Sequence, residues 1–351
     1  MHVGYSFWGH LADIKYDDKG NKVSTPDGNA TYSWALINAL VDKGHKIYRM
    51  MPDRDIWAVR HFKSKAFESF IKDARYQAYN MIGNYSNTFP ELDMLILEWR
   101  WPIYDKEGED AIDYKCQQKL LECYCNTNTK IVIFDLDYKF NDIDFDIVKP
   151  DAILDCGYKH KDRKEFVHVD IPFDFKYMFN NNFMTPLRDL IYIGNRYERD
   201  RHIDKYIVPL ANKGANIKLF GNWLEGNRDS KQKWPMLDFG PRIDVLDFKD
   251  NYGTSKATLL LAKDEYCKYG FMTMRLLEAL FFNCCPIGLA EFKGIENFLP
   301  DRLIVNDIYD VLRILTKLKS KTIRSLLINQ LKCNLNFMDA SNFVKKLEKI
   351  L

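Results

Sequence analysis

Short apolar runs alternate with helical segments along this 351-residue chain, and midway the series starts afresh. Val3, Tyr5 and Phe7 make the first run. A polar loop from Gly9 to about Asn29 follows, and then TYSWALINALVDKGHKIY reads as a helix and a second strand. A helix is predicted at Ser64–Asn80. LDMLILEW (92–99), a helix over 114–125, KIVIFDLDYK (130–139), DAILDC (151–156) and FVHVDIP (166–172) complete the first series. Phe173–Arg188, with three Asn at 180–182 and Pro186, reads as a linker. DLIYIG (189–194), NIKLFG (216–221) and ATLLLA (257–262) begin the second series. A helix at 271–283, PIGL, a strand at Leu303–Val305 and helices at about 307–335 and 339–351 end it. Strands alternating with helices require a parallel sheet covered on both faces. The expectation is an α/β chain of two Rossmann-like domains, with the terminal helix crossing back to the first.

Several function classes fall away at once. No apolar run approaches the roughly 18 residues of a membrane span, and the N-terminus lacks a basic n-region before an apolar stretch. The eight Cys form no C-x-x-C pattern, which predicts reduced thiols in a cytoplasm. Neither GxGxxG nor GxxxxGK[ST] occurs, which argues against nicotinamide enzymes and P-loop phosphotransferases. Net charge is +2, divided as −5 up to residue 180 (24 basic, 29 acidic) and +7 beyond it (27 basic, 20 acidic). A mildly basic second half is compatible with phosphate ligands, nucleic acid included.

The second series carries the stretch FMTMRLLEALFFNCCPIG (271–288). Arg275 and Glu278 are three apart, so they share a helix face. An Arg near a helix start suits a diphosphate, whose oxygens its planar fork can bind in pairs. A Glu one turn on suits ribose hydroxyls. The competing reading is an ordinary (i, i+3) ion pair. In YIGNRYERDR (192–201), Gly194 follows a strand, and Arg196, Arg199 and Arg201 crowd the turn, either as a diphosphate clamp or as a solvated charged loop. In the first series Asp135 and Asp137 end a strand, where a doubly wound sheet binds ligands. One of them suits a general base. The D-x-D spacing also suits Mg²⁺ or Mn²⁺ on a donor diphosphate, but a single catalytic Asp is the favoured reading. Trp99, Trp101, Trp223, Trp234 and Tyr269 can stack on a base or sugar or simply pack.

Taken together, these segments resemble the DNA β-glucosyltransferase family of T-even bacteriophages, which has the GT-B fold. FMTMRLLE (271–278) is similar to its F-I-T-L-R-V-W-E, IKLFGN (217–222) to I-E-F-F-G-N, IYIGNRYERDR (191–201) to I-Y-G-G-S-F-R-S-G-Q-R, and KIVIFDLDYK to K-I-Y-Y-L-F-T-D-I-R. The resemblance implies a deep interdomain cleft. It implies an acceptor-side domain over 1–178, a UDP-sugar-binding domain over 187–335, and a helix at 336–351 packing back on the first. Asp137 would be the catalytic base. Arg275 and Arg201 would bind the diphosphate, Glu278 the ribose, and Ile243 the uracil, while Gly194 would let the backbone approach. The family's first Arg of the Gly turn falls on Tyr197, with Arg196 beside it as a substitute. A family Tyr falls on Cys267, with Tyr266 and Tyr269 nearby.

The implied reaction is inverting transfer of glucose or arabinose from a UDP-sugar to the hydroxymethyl group of 5-hydroxymethylcytosine in duplex DNA. The implied protein is a monomer in the cytoplasm of a bacterial host, with no membrane partner. The alternatives are a GT-B transferase with a lipid, polysaccharide or small-molecule acceptor, and a non-catalytic DNA-binding protein on the same fold.

Overall fold

Two parallel sheets organise the chain, each inside its own compact unit. The structure is a computed structural model that describes residues 1–6, 29–51, 77–80, 89–103, 111–179, 183–223, 230–243 and 247–351. The expected loop after the first strand lies at 7–28, outside the described residues. Unit 1 comprises Met1–Asp174 and Met338–Leu351; unit 2 is Phe175–Phe337.

In unit 1 the strands are β1 (His2–Ser6), β2 (Lys46–Met51), β3 (Gln77–Asn80), β4 (Met94–Glu98), β5 (Lys130–Phe134), β6 (Ala152–Asp155) and β7 (Phe166–His168). They lie in the order β3-β2-β1-β4-β5-β6-β7, and every pairing is parallel. Strands covered on both faces read as continuous apolar runs, and Met94–Leu97 and Val132–Phe134 are buried throughout. Helix α1 (Asn29–Asp42) presents Leu36, Ile37 and Leu40 to the core. Helix α2 (Ala111–Tyr124) presents Cys116, Leu120 and Tyr124, four apart on one face. Helix α3 (Asp142–Val148) begins at a capping box between Asn141 and Asp144. The predicted helix at Ser64–Asn80 is corrected at its end: Gln77–Asn80 is β3, paired with β2 from Tyr48 to Met51. Residues 64–76 lie outside the described set. The return segment joins this unit through its main chain: Phe173 N donates to Met338 O at 3.1 Å, and Ala340 N to Phe173 O at 2.9 Å.

Unit 2 repeats the plan. Its strands are β8 (Arg188–Ile193), β9 (Ile217–Phe220), β10 (Asp238–Gly240), β11 (Ser255–Leu259), β12 (Cys285–Leu289) and β13 (Ile304–Val305), in the order β10-β9-β8-β11-β12-β13. Both sheets therefore show the 3-2-1-4-5-6 doubly wound order, which reverses at β1/β4 and at β8/β11. Helix α4 spans 200–212 with a π-helical stretch at Ile203–Ile207, and α5 is Phe248–Tyr252. The helix predicted at 271–283 is corrected at its start. Helix α6 (Asp264–Tyr269) ends on Gly270 in the left-handed region (φ 73°), the chain turns, and α7 runs only from Arg275 to Phe281. The predicted 307–335 helix is split. Helix α8 (Ile308–Lys317) ends, and Ser320 accepts from Ile323 N to start α9 (Lys321–Asn334). Helix α10 (Ala340–Leu347) closes the chain in unit 1, with Phe343 on Phe134 (centroids 5.4 Å) and Glu348 beyond it on His45 (3.0 Å).

Candidate active site

The polar groups of both units gather beyond the carboxyl ends of their central strands, at the reversal points. In unit 2, β8 delivers Gly194 and β11 delivers Leu261. Arg275, the first residue of α7, ties the two together: its Nε donates to Ile193 O at 2.8 Å and its Nη1 reaches Leu261 O at 3.5 Å. The guanidinium lies over the Tyr192 ring, 5.0 Å from the centroid. A Cβ on Gly194 would stand 2.5 Å from Arg275 Nη2 and 2.8 Å from Tyr192 Oη. Gly194 N donates to Phe220 O at 2.8 Å, and a Cβ on Gly221 would collide with the Gly194 carbonyl. Two glycines thus let the β8 and β9 turns touch and leave room for Arg275. Helix α7 has only seven residues, so the guanidinium rather than the macrodipole supplies the charge.

No ion pair joins Arg275 to Glu278. Glu278 is 7% exposed, and its carboxylate has no hydrogen-bond or ion-pair partner among the described residues. Burial raises its pKa to about 7, against the pull of Arg275. The buried Tyr192 Oη, Trp223 Nε1 and Tyr252 Oη also have no hydrogen-bond partner among the described residues. These features suit a ligand that brings an anion and hydroxyls.

The arginines of the Gly194 turn divide. Arg196 forks onto Asp200, with Nε 2.7 Å from Oδ1, and lies over the Trp234 ring. That fork drops Asp200 to a pKa of about 2. Arg201 pairs with Asp264 (2.8 Å) and Glu291 (3.2 Å), and Glu291 also faces His202 at 3.0 Å. Arg199, named in the possible clamp but given no role by the resemblance, is 4% exposed and pairs with no carboxylate among the described residues. It donates to the carbonyls of Tyr197 (2.6 Å), Asn195 (3.3 Å) and Leu261 (3.4 Å). Burial, with Arg275 adding to it, pulls its pKa below the usual guanidinium value. Arg199 and Arg275 meet at one carbonyl, and neither forms an ion pair among the described residues. Tyr269 is half-buried at the end of α6, with Lys268 over its ring, and Ile243 is half-buried beyond β10. Trp99, Trp223 and Trp234 are core residues.

In unit 1, the turn after β5 is braced from within. Asp135, fully buried, accepts from Lys139 N (2.9 Å), Phe140 N (3.2 Å) and His160 Nε2 (2.9 Å). Lys159 donates to Tyr138 O and Phe140 O. Tyr138 is held in the left-handed region (φ 56°), a strained conformation for a large residue. The turn leaves Asp137 half-buried and paired with Arg100. Asp135 and Asp137 do not fit a shared divalent cation, since the Asp135 oxygens face backbone amides and His160. Among the described residues no group of three or more His, Cys, Asp or Glu is arranged to hold a metal.

Beside this turn lies a network that sequence reasoning missed. Glu98, at the end of β4 and 6% exposed, accepts from Tyr5 Oη (2.6 Å), Tyr32 Oη (3.3 Å) and Ser33 Oγ (3.5 Å). Burial and then the Glu98 charge hold both phenols well above their usual pKa, and Tyr32 also feels Arg100 and Asp137. The available signal was Glu98 and Arg100 flanking Trp99 directly after an apolar strand.

No protein-family model matches the chain, and no curated protein sequence does. Solved structures do. The T4 phage β-glucosyltransferase, a DNA-modifying enzyme, superimposes over 100% of this chain and 97% of its own at TM-score 0.57 and 15% identity. AviGT4, a glycosyltransferase of avilamycin A biosynthesis, covers 99% and 97% at TM-score 0.56 and 11% identity. TarM of S. aureus covers 73% of this chain and 55% of its own at TM-score 0.51 and 9% identity. The fold is therefore GT-B: two Rossmann-like domains, matched over the full length of the chain. Among the described residues no helix is long and apolar enough to cross a membrane.

Proposed function

We propose that the chain is an inverting, UDP-sugar-dependent glycosyltransferase that modifies the hydroxymethyl group of 5-hydroxymethylcytosine in duplex DNA. The observation that carries the donor half is the pair of guanidiniums, Arg199 and Arg275, that form no ion pair among the described residues, beside a buried Glu278 that accepts no hydrogen bond there. A nucleoside diphosphate supplies what this group lacks: negative charge for the arginines and ribose hydroxyls for the carboxylate. Arg201 joins only by exchanging Asp264 and Glu291 for phosphate, and Arg196 stays on Asp200. Tyr269 and Ile243 serve the rim and the base of the same donor.

Asp137 removes the proton of the acceptor hydroxymethyl, whose oxygen attacks the anomeric carbon as the diphosphate leaves. Arg100 holds the carboxylate in place. Arg275 stabilises the negative charge that grows on the leaving diphosphate. The acceptor base must leave the stack to react. DNA as acceptor is supported by the motif resemblance, which includes Asp137, and by the likeness to a DNA-modifying enzyme. AviGT4 superimposes about as well, and that similarity keeps a small-molecule acceptor as the second reading. Monomeric state and a bacterial-host cytoplasm belong to the first reading.

The test is transfer onto 5-hydroxymethylcytosine duplex DNA from UDP-glucose, UDP-arabinose and other UDP-sugars, with and without Mg²⁺ or Mn²⁺, read by nucleoside mass spectrometry. A hexose or pentose mass gain establishes the reaction and the sugar class. UDP binding without any gain discards DNA as the acceptor.

A further inference from the structure

The cations around the Gly194 turn fall into two groups, and the second has a member outside the turn. Arg196 and Arg201 are neutralised by Asp200, Asp264 and Glu291. Arg199 and Arg275 are not, and they share the Leu261 carbonyl. Two residues on, Lys263 stands half-buried with its ammonium between two rings: Nζ is 4.6 Å from the centroid of Tyr197 and 5.0 Å from that of Tyr266. It makes no ion pair among the described residues, and the adjacent Asp264 pairs with Arg201. The Tyr266 phenol lies close enough to Arg199 and Arg275 to act on both charges. Lys263 thus stands two residues along from the carbonyl that Arg199 and Arg275 share, against the ring whose phenol acts on both of their charges. Aromatic faces hold an ammonium in position without neutralising it, so the ammonium keeps its capacity for an anion.

We infer that Lys263, carried between Tyr197 and Tyr266, is the third cation of the donor site and binds the diphosphate of the nucleotide together with Arg199 and Arg275. This rests on the donor reading above. Position 197 has an aromatic ring in place of a guanidinium, and the ring's task is to aim Lys263. The flexible stem of Lys263 lets it follow the phosphates as the bond to the sugar breaks, whereas Arg199 and Arg275 are fixed to carbonyls.

The experiment is equilibrium titration of the full chain with UDP and, separately, with uridine. Lys263→Ala weakens UDP about tenfold, the weight of one charged hydrogen bond, and leaves uridine binding and the melting temperature unchanged. Lys263→Arg restores most of the UDP affinity. Tyr197→Ala costs UDP a smaller factor, about threefold, as expected of one exposed cation–π contact. Unchanged UDP affinity in Lys263→Ala overturns the inference, as does an equal loss for UDP and uridine, which would mark a packing role. A wild-type chain that binds no UDP removes the donor reading itself, and this inference with it.

Discussion

The two sheets have the same strand order, yet their polar ends differ in kind. At the end of the unit 1 sheet the buried charges are met from within: Glu98 by two phenols and a hydroxyl, Asp135 by two amides and a histidine, Asp137 by Arg100. At the end of the unit 2 sheet Arg199, Arg275 and Glu278 form no ion pair among the described residues. A self-satisfied site is rigid and ready to position one reactive carboxylate. An unmatched site is complete only when a charged ligand arrives, because a buried charge without a partner is costly. The division matches a reaction in which one unit supplies the base and the other holds a charged donor.

The comparison breaks first at Asp137. Asp137→Asn should lower transfer about a thousandfold, within the range of a lost general base, while calorimetric UDP affinity stays at the wild-type value. A variant that keeps full turnover assigns the proton transfer elsewhere.

Glu278 offers the next effect, and its sign is opposite for stability and binding. Its folded pKa, about 7, lies above the ordinary carboxylate value of 4.5. The fold thus favours the protonated form, and the associated stability is intact below pH 4.5 and lost as pH rises through 7. Glu278→Gln should raise the stability of the free protein at pH 8 by roughly 3 kcal/mol, from about 1.4 kcal/mol per pKa unit. It should have no effect at pH 4, and it should weaken UDP. Chemical denaturation at the two pH values checks this; a loss of stability at pH 8 would mean that Glu278 has an internal partner.

Arg275→Ala should weaken UDP about a hundredfold, as expected for a charged group that meets phosphate directly. Arg196→Ala, on the turn after β8, should leave UDP affinity unchanged and cost roughly 1 kcal/mol through loss of the Asp200 fork. Parallel titrations test the division of the turn; equal losses from the two would erase it. An effect of similar, small size belongs to the satisfied side. Tyr5→Phe removes the 2.6 Å bond to Glu98 and should cost about 1–2 kcal/mol in urea unfolding, with UDP affinity unaltered.

Much of this arrangement was legible before folding. Gly194 and Asp137 stand just after strands that apolar runs mark plainly, Arg275 and Glu278 share a face by their spacing of three, and loops at carboxyl ends are where doubly wound sheets carry ligands. The roles of the neighbouring arginines were not legible. Arg196, Arg199 and Arg201 stand among two acids in RYERDR (196–201), and nothing local decides which is neutralised. Glu291 reaches Arg201 from 90 positions away, and Leu261 O reaches Arg199 from 62 away. The Glu98 network stayed hidden for the same reason: Tyr5 is 93 residues from its acceptor. The start of α7 was misread because FMTM is as apolar as the helix it precedes, and only the left-handed Gly270 shows where the chain turns.

By itself, then, the sequence determined the alternation of strand and helix, and with it two parallel sheets whose functional loops lie at one end. That pattern is local, because hydrophobic period and turn residues act within a dozen positions. Tertiary structure alone decided which charges are cancelled and which wait for a ligand. Desolvation and pairing depend on side chains brought together from distant segments, and those energies exist only once the sheets are closed.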